Sequence, residues 1–280
     1  MCCLVDPLRE PRATVRQKEK NGEPISLLGV DYLHLQTEEG GDLYLTRYGQ
    51  PWREQLAPGN WYAPDWFAAR RSRLPGTSVI YRVPTRPIHG LSLQLVARFS
   101  RVGQPVPADT ATVERHVEME FNSPFEEFAR VLELRAARVG LRGGRLLTKK
   151  PLAIYSPPQK LHLWQTGRWE SKIAAKQALY PEAPLDPLRQ YLLLYTWTKG
   201  LNAVQTADRL QMTGERRERF LSETTLLARR ELEMRGFCMA DIKPEHIVLR
   251  LQPDGRLLRR PDGEAAYVLV DYELLAPKKG

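Results

Sequence analysis

The chain has 280 residues with a formal net charge of +9, and 42% of its residues are hydrophobic, which predicts a folded globular protein with a core of its own. It contains no run of about eighteen apolar residues and no apolar segment typical of a signal peptide, which argues against a membrane-spanning or secreted chain. Its three cysteines show neither metal-ligand spacing nor a disulfide framework, so a reducing cytoplasm is the expected location.

The excess of basic residues favours an acidic partner such as nucleic acid, a phosphate compound or an anionic lipid surface. Arginine and lysine are nevertheless scattered along the chain, and a solvated basic face needs no partner. No aromatic-basic recognition motif accompanies the charge. A basic nucleic-acid-binding module is therefore an alternative that charge alone supports.

The beginning of the chain passes from polar sequence to strand-like runs. Residues 1–40 are polar and irregular and contain the mixed-charge run RQKEKNGE, which predicts a poorly ordered lead-in. Residues 77–85 and 91–100 are β-rich and are separated by the connection RPIHG. Because this connection has the length and the Pro/Gly content of a hairpin, the two runs are predicted to form an antiparallel pair.

A helix is predicted after this strand pair. Ser123 is the expected N-cap, Pro124 occupies the first helical position, and Glu126 lies three residues after the cap. Apolar residues at helical spacing continue the pattern, and the helix is expected to end at Gly140.

The second half of the chain is predicted to add strands and one long helix. Residues 151–157, 160–165 and 190–200 are short apolar runs typical of strands. Residues 215–236 form an amphipathic pattern that ends at a glycine, which predicts a long helix with one face toward the core.

Each of the last two strand-like pieces carries an aspartate. The segment MADIKPEHIVLR contains Asp241, and YVLVDYELL contains Asp271. A carboxylate among residues that tend to be buried costs free energy unless something pairs with it. Either both aspartates face one cation, or both are ordinary loop ends.

These two motifs resemble those of the protein-kinase-like superfamily, in a divergent bacterial form. The family's catalytic loop reads H-R-D-x-K-P-x-N, and here Asp241, Lys243 and Pro244 match while His246 stands in place of the asparagine. The strand that ends at Asp271 resembles the one that ends in D-F-G. The resemblance implies that Asp241 orients the acceptor hydroxyl and that Lys243 contacts the transferring phosphate. It also implies that His246 and Asp271 hold Mg²⁺ against the phosphates of ATP, with Mn²⁺ as an alternative cation.

Upstream residues fit the same resemblance less closely. The segment LPGTSVIYRV resembles the phosphate-covering hairpin, but it has only Gly76, with Thr77 and Ser78 as small residues beside it. The segment VARFSRVG resembles the strand that carries the family's phosphate-binding lysine, and the alternation of its side chains places Arg98 at the position of that lysine. The resemblance implies that Glu127, on the helix, is the partner of this cation.

The resemblance also implies an α+β, two-lobed protein-kinase-like fold. LLLYTWTKGLNAV resembles the hinge, where backbone groups around Leu194, Tyr195 and Trp197 would contact adenine. Residues 41–198 would form a β-rich nucleotide-binding lobe, and residues 199–280 a short helical lobe with the catalytic-loop hairpin. Because the chain ends soon after the second aspartate motif, this C-terminal lobe is expected to be truncated or minimal.

Each of these residues also has an ordinary structural interpretation. Asp241 is compatible with a turn cap, and Lys243 with a solvated side chain. Arg98 equally suits an exposed position on an alternating strand, and Glu127 could balance Arg130 on the same helix face. The D-x-K-P spacing, after a long helix and before a strand-turn-strand unit, favours the kinase-like interpretation of the group.

Three functions therefore stay open. The favoured one is an ATP-dependent phosphotransferase that acts on a hydroxyl acceptor, similar to small-molecule or lipopolysaccharide-type kinases, some of which also place histidine at the step of His246. The expected loss of the activation segment argues against a conventional protein kinase. The departures at Arg98, at His246 and in the missing glycines favour instead a pseudokinase that serves as a nucleotide-binding or regulatory scaffold. The third is the basic nucleic-acid-binding module.

Overall fold

The computed structural model describes residues 22–107, 119–137 and 146–278, and it has a mixed α+β architecture, as predicted. Its strands are β1 (Glu23–Leu27), β2 (Val30–Gln36), β3 (Asp42–Thr46), β4 (Ser72–Arg73), β5 (Ile80–Pro84), β6 (Gln94–Phe99), β7 (Leu147–Thr148), β8 (Pro151–Ser156), β9 (Leu192–Thr196), β10 (Leu201–Asn202), β11 (Phe237–Met239), β12 (Ile247–Leu249), β13 (Tyr267–Leu269) and β14 (Leu275–Pro277). Its helices are α1 (Arg53–Leu56), α2 (Pro64–Arg70), α3 (Pro124–Ala136), α4 (Leu163–Thr166), α5 (Glu170–Leu179), α6 (Ala203–Arg209) and α7 (Gly214–Glu233), with short 3-10 turns at Gln50–Trp52, Pro58–Asn60 and Pro244–His246.

The largest sheet is antiparallel and is buried on both faces. Its strand order is β1-β2-β3-β8-β9-β6-β5-β4. In the central strand β9, Leu192 and Leu194 pack on one face with the aromatic residues of the α1–α2 region, while Leu193 and Tyr195 pack on the other face with α3. Because side chains alternate along a strand, one apolar strand fills both cores.

Helix α3 begins as the sequence predicts. The Ser123 side chain accepts a hydrogen bond from the Glu126 backbone N–H, and the Glu126 carboxylate accepts one from the Ser123 N–H, which completes the capping box. Phe125 and Phe128 are buried in the core beneath the large sheet. The helix ends at Ala136, whereas the expected end at Gly140 lies outside the described residues.

A smaller sheet carries the C-terminal motifs, with strand order β10-β12-β13-β7. Strand β7 pairs in parallel with β13, joining Leu147 to Val268. Strand β7 precedes the predicted boundary at residues 198 and 199, yet its backbone hydrogen bonds are formed with β13, which follows that boundary. One core cluster accordingly contains residues from both sides of the boundary.

The prediction of a poorly ordered segment 1–40 is wrong for residues 22–40. Strands β1 and β2 form an antiparallel hairpin that extends the large sheet beside β3. Leu27, Val30 and Tyr32 are buried, and the packing of this apolar face stabilises the hairpin. The neighbouring run of charged residues made the apolar face hard to detect in the sequence.

The predicted strand at residues 160–165 is also wrong. Residues from Leu163 onward form the short helix α4, whose start is held by a hydrogen bond from the His162 backbone N–H to the Gln165 side chain. The alternating apolar pattern there does not mark a buried face, since the side chain of Trp164 is largely exposed.

The long helix α7 is confirmed. It closes before Gly236, whose φ of +77° is the left-handed conformation that glycine favours after a helix. Thr224 and Leu232 are buried, and Phe220 and Leu227 are partly buried against the same cluster, which is the core-facing side of the helix. Among the residues described, none of the helices has the length and apolar character needed to cross a membrane.

Candidate active site

A cavity of about 640 Å³ opens beside the catalytic-loop motif. Its walls come from the β4–β5 connection, the segment after β9, the segment from β11 to β12 and the segment after β13. The lining includes Gly76, Thr77, Ser78, Lys149, Trp197, Asp241, Lys243, His246, Asp271 and Glu273.

Asp241, His246 and Asp271 converge at one point of this cavity. One ligand atom from each residue lies within 4.8 Å of the others, and the Nε2 atom of His246 is 3.6 Å from a carboxylate oxygen of Asp271. The β12–β13 pairing explains the juxtaposition, because the Val270 N–H donates to the His246 carbonyl just before Asp271. The predicted approach of Asp241 to Asp271 is confirmed.

The two aspartates differ in their electrostatic surroundings. Burial, followed by the nearby charge of Asp271, raises the pKa of the Asp241 carboxyl above its usual range. Burial also tends to raise the pKa of Asp271, but the opposing influence of His246 and Arg98 leaves it below its usual range. Asp271 is thus held ionised, while Asp241 is the more basic of the pair.

The three residues fit a divalent cation. The Nδ1 atom of His246 is buried and has no hydrogen-bond partner among the described residues, so this ring nitrogen is available to interact with a ligand. Two carboxylates and one imidazole form a mixed oxygen and nitrogen donor set. Mg²⁺ prefers oxygen donors alone, whereas Mn²⁺ accepts an imidazole more readily, so the set suits Mn²⁺ at least as well as the expected Mg²⁺.

Arg98 is buried on β6 and pairs with two carboxylates. It forms the predicted ion pair with Glu127 of α3, and its Nη1 atom lies 2.8 Å from Glu273. Burial tends to lower the pKa of Arg98, but the two glutamates raise it well above its ordinary value. The Tyr195 hydroxyl also donates to Glu127, at 2.5 Å. Arg98 is not among the residues that line the cavity, so its predicted contact with phosphate stays a prediction.

Glu273 is a site residue that the sequence reasoning missed. Its carboxylate accepts a hydrogen bond from the Ser78 hydroxyl and pairs with Arg98, and it lies 3.9 Å from Arg101. The β4–β5 connection is thereby tied to the segment after β13. The available signal was the glutamate that stands where D-F-G has its glycine.

Lys149 is the second residue that was missed. It follows β7, lines the cavity and is only 8% exposed. Its Nζ atom donates to the Val270 carbonyl at 2.8 Å. No local pattern marks this lysine, because its position depends on the pairing of β7 with the distant β13.

The residues of the predicted hinge separate into two groups. Trp197 lines the cavity, whereas Leu194 and Tyr195 are buried in β9 between β6 and β8 and do not line it. The predicted contact of Leu194 and Tyr195 with adenine is not supported, because neighbouring strands occupy both edges of β9 at these residues.

The predicted phosphate-covering residues do line the cavity. Gly76 and Thr77 are exposed at its edge, and Ser78 is buried against Glu273. Gly76 has a φ of +134°, which residues with a Cβ atom rarely adopt, so the turn depends on this glycine. Lys243 is exposed and lines the cavity, and its predicted contact with the transferring phosphate stays a prediction.

Comparisons with protein-family models and with curated proteins gave no match to this chain. Among solved structures, the chain is similar to one described as the crystal structure of BubR1 kinase domain, with 11% sequence identity and a TM-score of 0.41. That similarity covers 95% of this chain, which spans 57% of the length of the matched chain. Similarity at this level assigns no activity to this chain.

Proposed function

We propose that this chain has a protein-kinase-like fold and is an ATP-dependent phosphotransferase that acts on a hydroxyl acceptor, using the cavity beside the catalytic-loop motif. The observation that carries the proposal is the convergence of Asp241, His246 and Asp271 within one cavity. The cavity volume of about 640 Å³ is also in the range of small-molecule sites. A small or saccharide-type acceptor fits the expectation from the sequence.

The proposed roles follow from the chemistry of each residue. Asp271 and His246 would hold a divalent cation, which when bound supplies positive charge to the phosphates of the nucleotide. Asp241 orients the acceptor hydroxyl and receives its proton, and its raised pKa makes it a stronger base than an ordinary aspartate. Lys243 contributes charge at the rim toward the transferring group.

The β4–β5 connection and Trp197 supply the remaining proposed contacts of the nucleotide. Thr77 has a hydroxyl group on the cavity wall, where it can donate a hydrogen bond to a phosphate oxygen, whereas the Ser78 hydroxyl can accept a hydrogen bond there but already donates its proton to Glu273. Trp197 presents an aromatic ring on the cavity wall and so supplies apolar surface for a base.

A nucleotide-binding scaffold without catalysis is the second candidate. The observation that favours it is the engagement of Glu273 with both Arg98 and Ser78. Because the Glu273 carboxylate pairs with the Arg98 guanidinium and accepts the hydrogen bond of the Ser78 hydroxyl, neither group is free to bind a phosphate group. A scaffold of this kind would bind nucleotide without transferring phosphate.

The proposal is tested by nucleotide-dependent thermal melting beside a phosphotransfer or ATPase assay, with Mg²⁺ and Mn²⁺ compared. The enzyme is expected to show a melting shift with ATP and a measurable turnover. Asp241→Asn should retain the shift and lose turnover by about 10²-fold or more. Asp31→Asn, at an exposed position in the β1–β2 hairpin, is the matched control and should behave as wild type. A shift without turnover under either cation would favour the scaffold, and the absence of both would refute the proposal.

A further inference from the structure

We infer that the ammonium group of Lys149, rather than the guanidinium group of Arg98, is the buried cation that contacts the phosphate groups of a polyphosphate ligand in this cavity. The inference rests on the proposed function for the identity of the ligand as a nucleoside triphosphate. It assigns to the phosphate site a residue that the kinase-like motifs do not mark.

Arg98 is already neutralised by protein carboxylates. Its guanidinium pairs with Glu127 and with Glu273, and these three side chains are all at least nine-tenths buried. A phosphate group would have to displace one of the carboxylates and leave a buried anion without its partner, which is strongly unfavourable. Arg98 therefore serves as the centre of a structural ion network.

Lys149 has no such partner. Lys149 takes part in none of the ion pairs formed among the described residues, and the hydrogen-bond acceptor of its Nζ atom is the neutral carbonyl of Val270. An ammonium group has three N–H donors; one goes to Val270 and the group also lies 5.9 Å from the centre of the Tyr195 ring, so at least one donor remains for a ligand. Lys149 lines the cavity, so a ligand bound there can reach its side chain.

The position of the ammonium group is fixed from both ends of the residue. The Lys149 backbone N–H donates to the Tyr272 hydroxyl at 2.8 Å, and its Nζ atom donates to the Val270 carbonyl at the same distance. Because these partners flank Asp271, the ammonium group is anchored on the segment that supplies a carboxylate to the cation cluster. A phosphate contact that is fixed before the ligand arrives costs little side-chain entropy.

The electrostatic state of Lys149 favours an anionic ligand. Burial lowers the pKa of Lys149 to about 8, an effect that the nearby Asp271 only partly opposes. A buried charge that is incompletely compensated destabilises the folded protein, and an anion beside it offsets that cost. At neutral pH the group is still mostly protonated and available as a cation.

The test uses Lys149→Met with Lys150→Met as the matched control. Lys150 is the adjacent lysine but is exposed and does not line the cavity. Binding of inorganic tripolyphosphate is measured by calorimetry, and binding of Mn²⁺ alone by electron paramagnetic resonance. Lys149→Met should weaken tripolyphosphate binding by about ten-fold or more, as expected for loss of a charge-assisted hydrogen bond. It should leave Mn²⁺ binding unchanged or tighter, because a repelling cation is removed.

The two readouts distinguish a ligand contact from a structural role. Loss of both tripolyphosphate and Mn²⁺ binding in Lys149→Met, and also in the milder Lys149→Gln, would overturn the inference, because it would show that Lys149 only maintains the site. Equal tripolyphosphate affinity in wild type and Lys149→Met, or no binding by wild type, would also overturn it. A parallel titration with ATP and adenosine tests the proposed function separately. Lys149-dependent binding of tripolyphosphate without any binding of ATP would support the inference and contradict the nucleotide assignment.

Discussion

The guanidinium of Arg98 lies 2.8 Å from the carboxylate of Glu273, which joins the centre of the large sheet to the segment after β13. Glu127 holds the same guanidinium from α3, and Ser78 donates to Glu273 from the β4–β5 connection. Four separate parts of the chain thus meet in one buried polar network. The stability of such a network requires all of its members, because removal of any one side chain leaves another buried polar group without its partner.

Arg98→Met is expected to lower the free energy of unfolding by about 3–5 kcal/mol, since it leaves the buried carboxylates of Glu127 and Glu273 without their shared cation. Urea denaturation followed by circular dichroism measures the loss. The control is Arg53→Met at an exposed position on α1, which should change stability by less than about 0.5 kcal/mol. Equal stability of Arg98→Met and wild type would show that the network contributes nothing.

Glu273→Gln is expected to change stability and ligand binding in opposite directions. It removes one of two negative charges from Arg98, so the free energy of unfolding should fall by about 1–3 kcal/mol. It also removes a negative charge from the cavity wall, so an anionic triphosphate should bind several-fold more tightly. Thermal melting with and without ATP measures both effects.

Glu245→Gln is the control for this charge change, because Glu245 lines the same cavity but is exposed. Solvent screens an exposed charge, so this variant should alter both quantities only slightly. Weaker ATP binding by Glu273→Gln would argue that Glu273 supports the ligand site rather than opposing anionic ligands.

Asp271→Asn is expected to weaken nucleotide binding and turnover together, whereas Asp241→Asn should affect turnover alone. The physical reason is that Asp271 would hold the cation that contacts the bound phosphates, so its loss affects the ground state as well as the transition state. Titration of ATP with Mn²⁺, followed by single-turnover kinetics, separates the two steps. Identical binding defects in both variants would indicate that Asp241 is a cation ligand instead of the base.

His246→Asn is expected to shift the cation preference toward Mg²⁺. An amide oxygen is a better Mg²⁺ ligand than an imidazole nitrogen, so the Mg²⁺-supported rate should be kept or raised while the advantage of Mn²⁺ falls. The ratio of the two rates, measured for wild type and variant under the same conditions, gives the result. A variant that loses activity with both cations would show that the imidazole itself is required.

Lys149 predicts a specific dependence of stability on pH. Its pKa is lowered from 10.5 to about 8 in the folded protein. Between these values the unfolded chain binds more protons than the folded one, so this residue makes stability rise with pH. Relative to Lys149→Met, wild type should therefore gain about 2 kcal/mol between about pH 7 and about pH 10.

Denaturation of both proteins at each pH measures this difference, and Lys150→Met supplies the control. Raised tyrosine pKa values act in the opposite direction at high pH, but they are common to all three proteins and cancel in the comparison. Parallel pH curves for wild type and Lys149→Met would mean that the ammonium group is not destabilised by burial.

Local sequence patterns determined several elements correctly. The capping box at Ser123 and Glu126 gave the start of α3, and the glycine at residue 236 marked the end of α7. The D-x-K-P motif and the following strand pair placed Asp241 near Asp271. These predictions succeeded because capping, periodicity and tight strand pairing depend on residues that are close in sequence.

Only the tertiary structure decided which charges meet. Ser78 and Glu273 are hydrogen-bonded although they are 195 residues apart in sequence. Lys149 is placed on the cavity wall by the pairing of β7 with β13. The same sequence pattern allowed Arg98 to be an exposed charge or a phosphate contact, and the structure placed it in a buried ion network. Local sequence patterns do not identify an ion-pair partner that is distant in sequence, because burial and ion pairing arise only when separate elements pack together and exclude water.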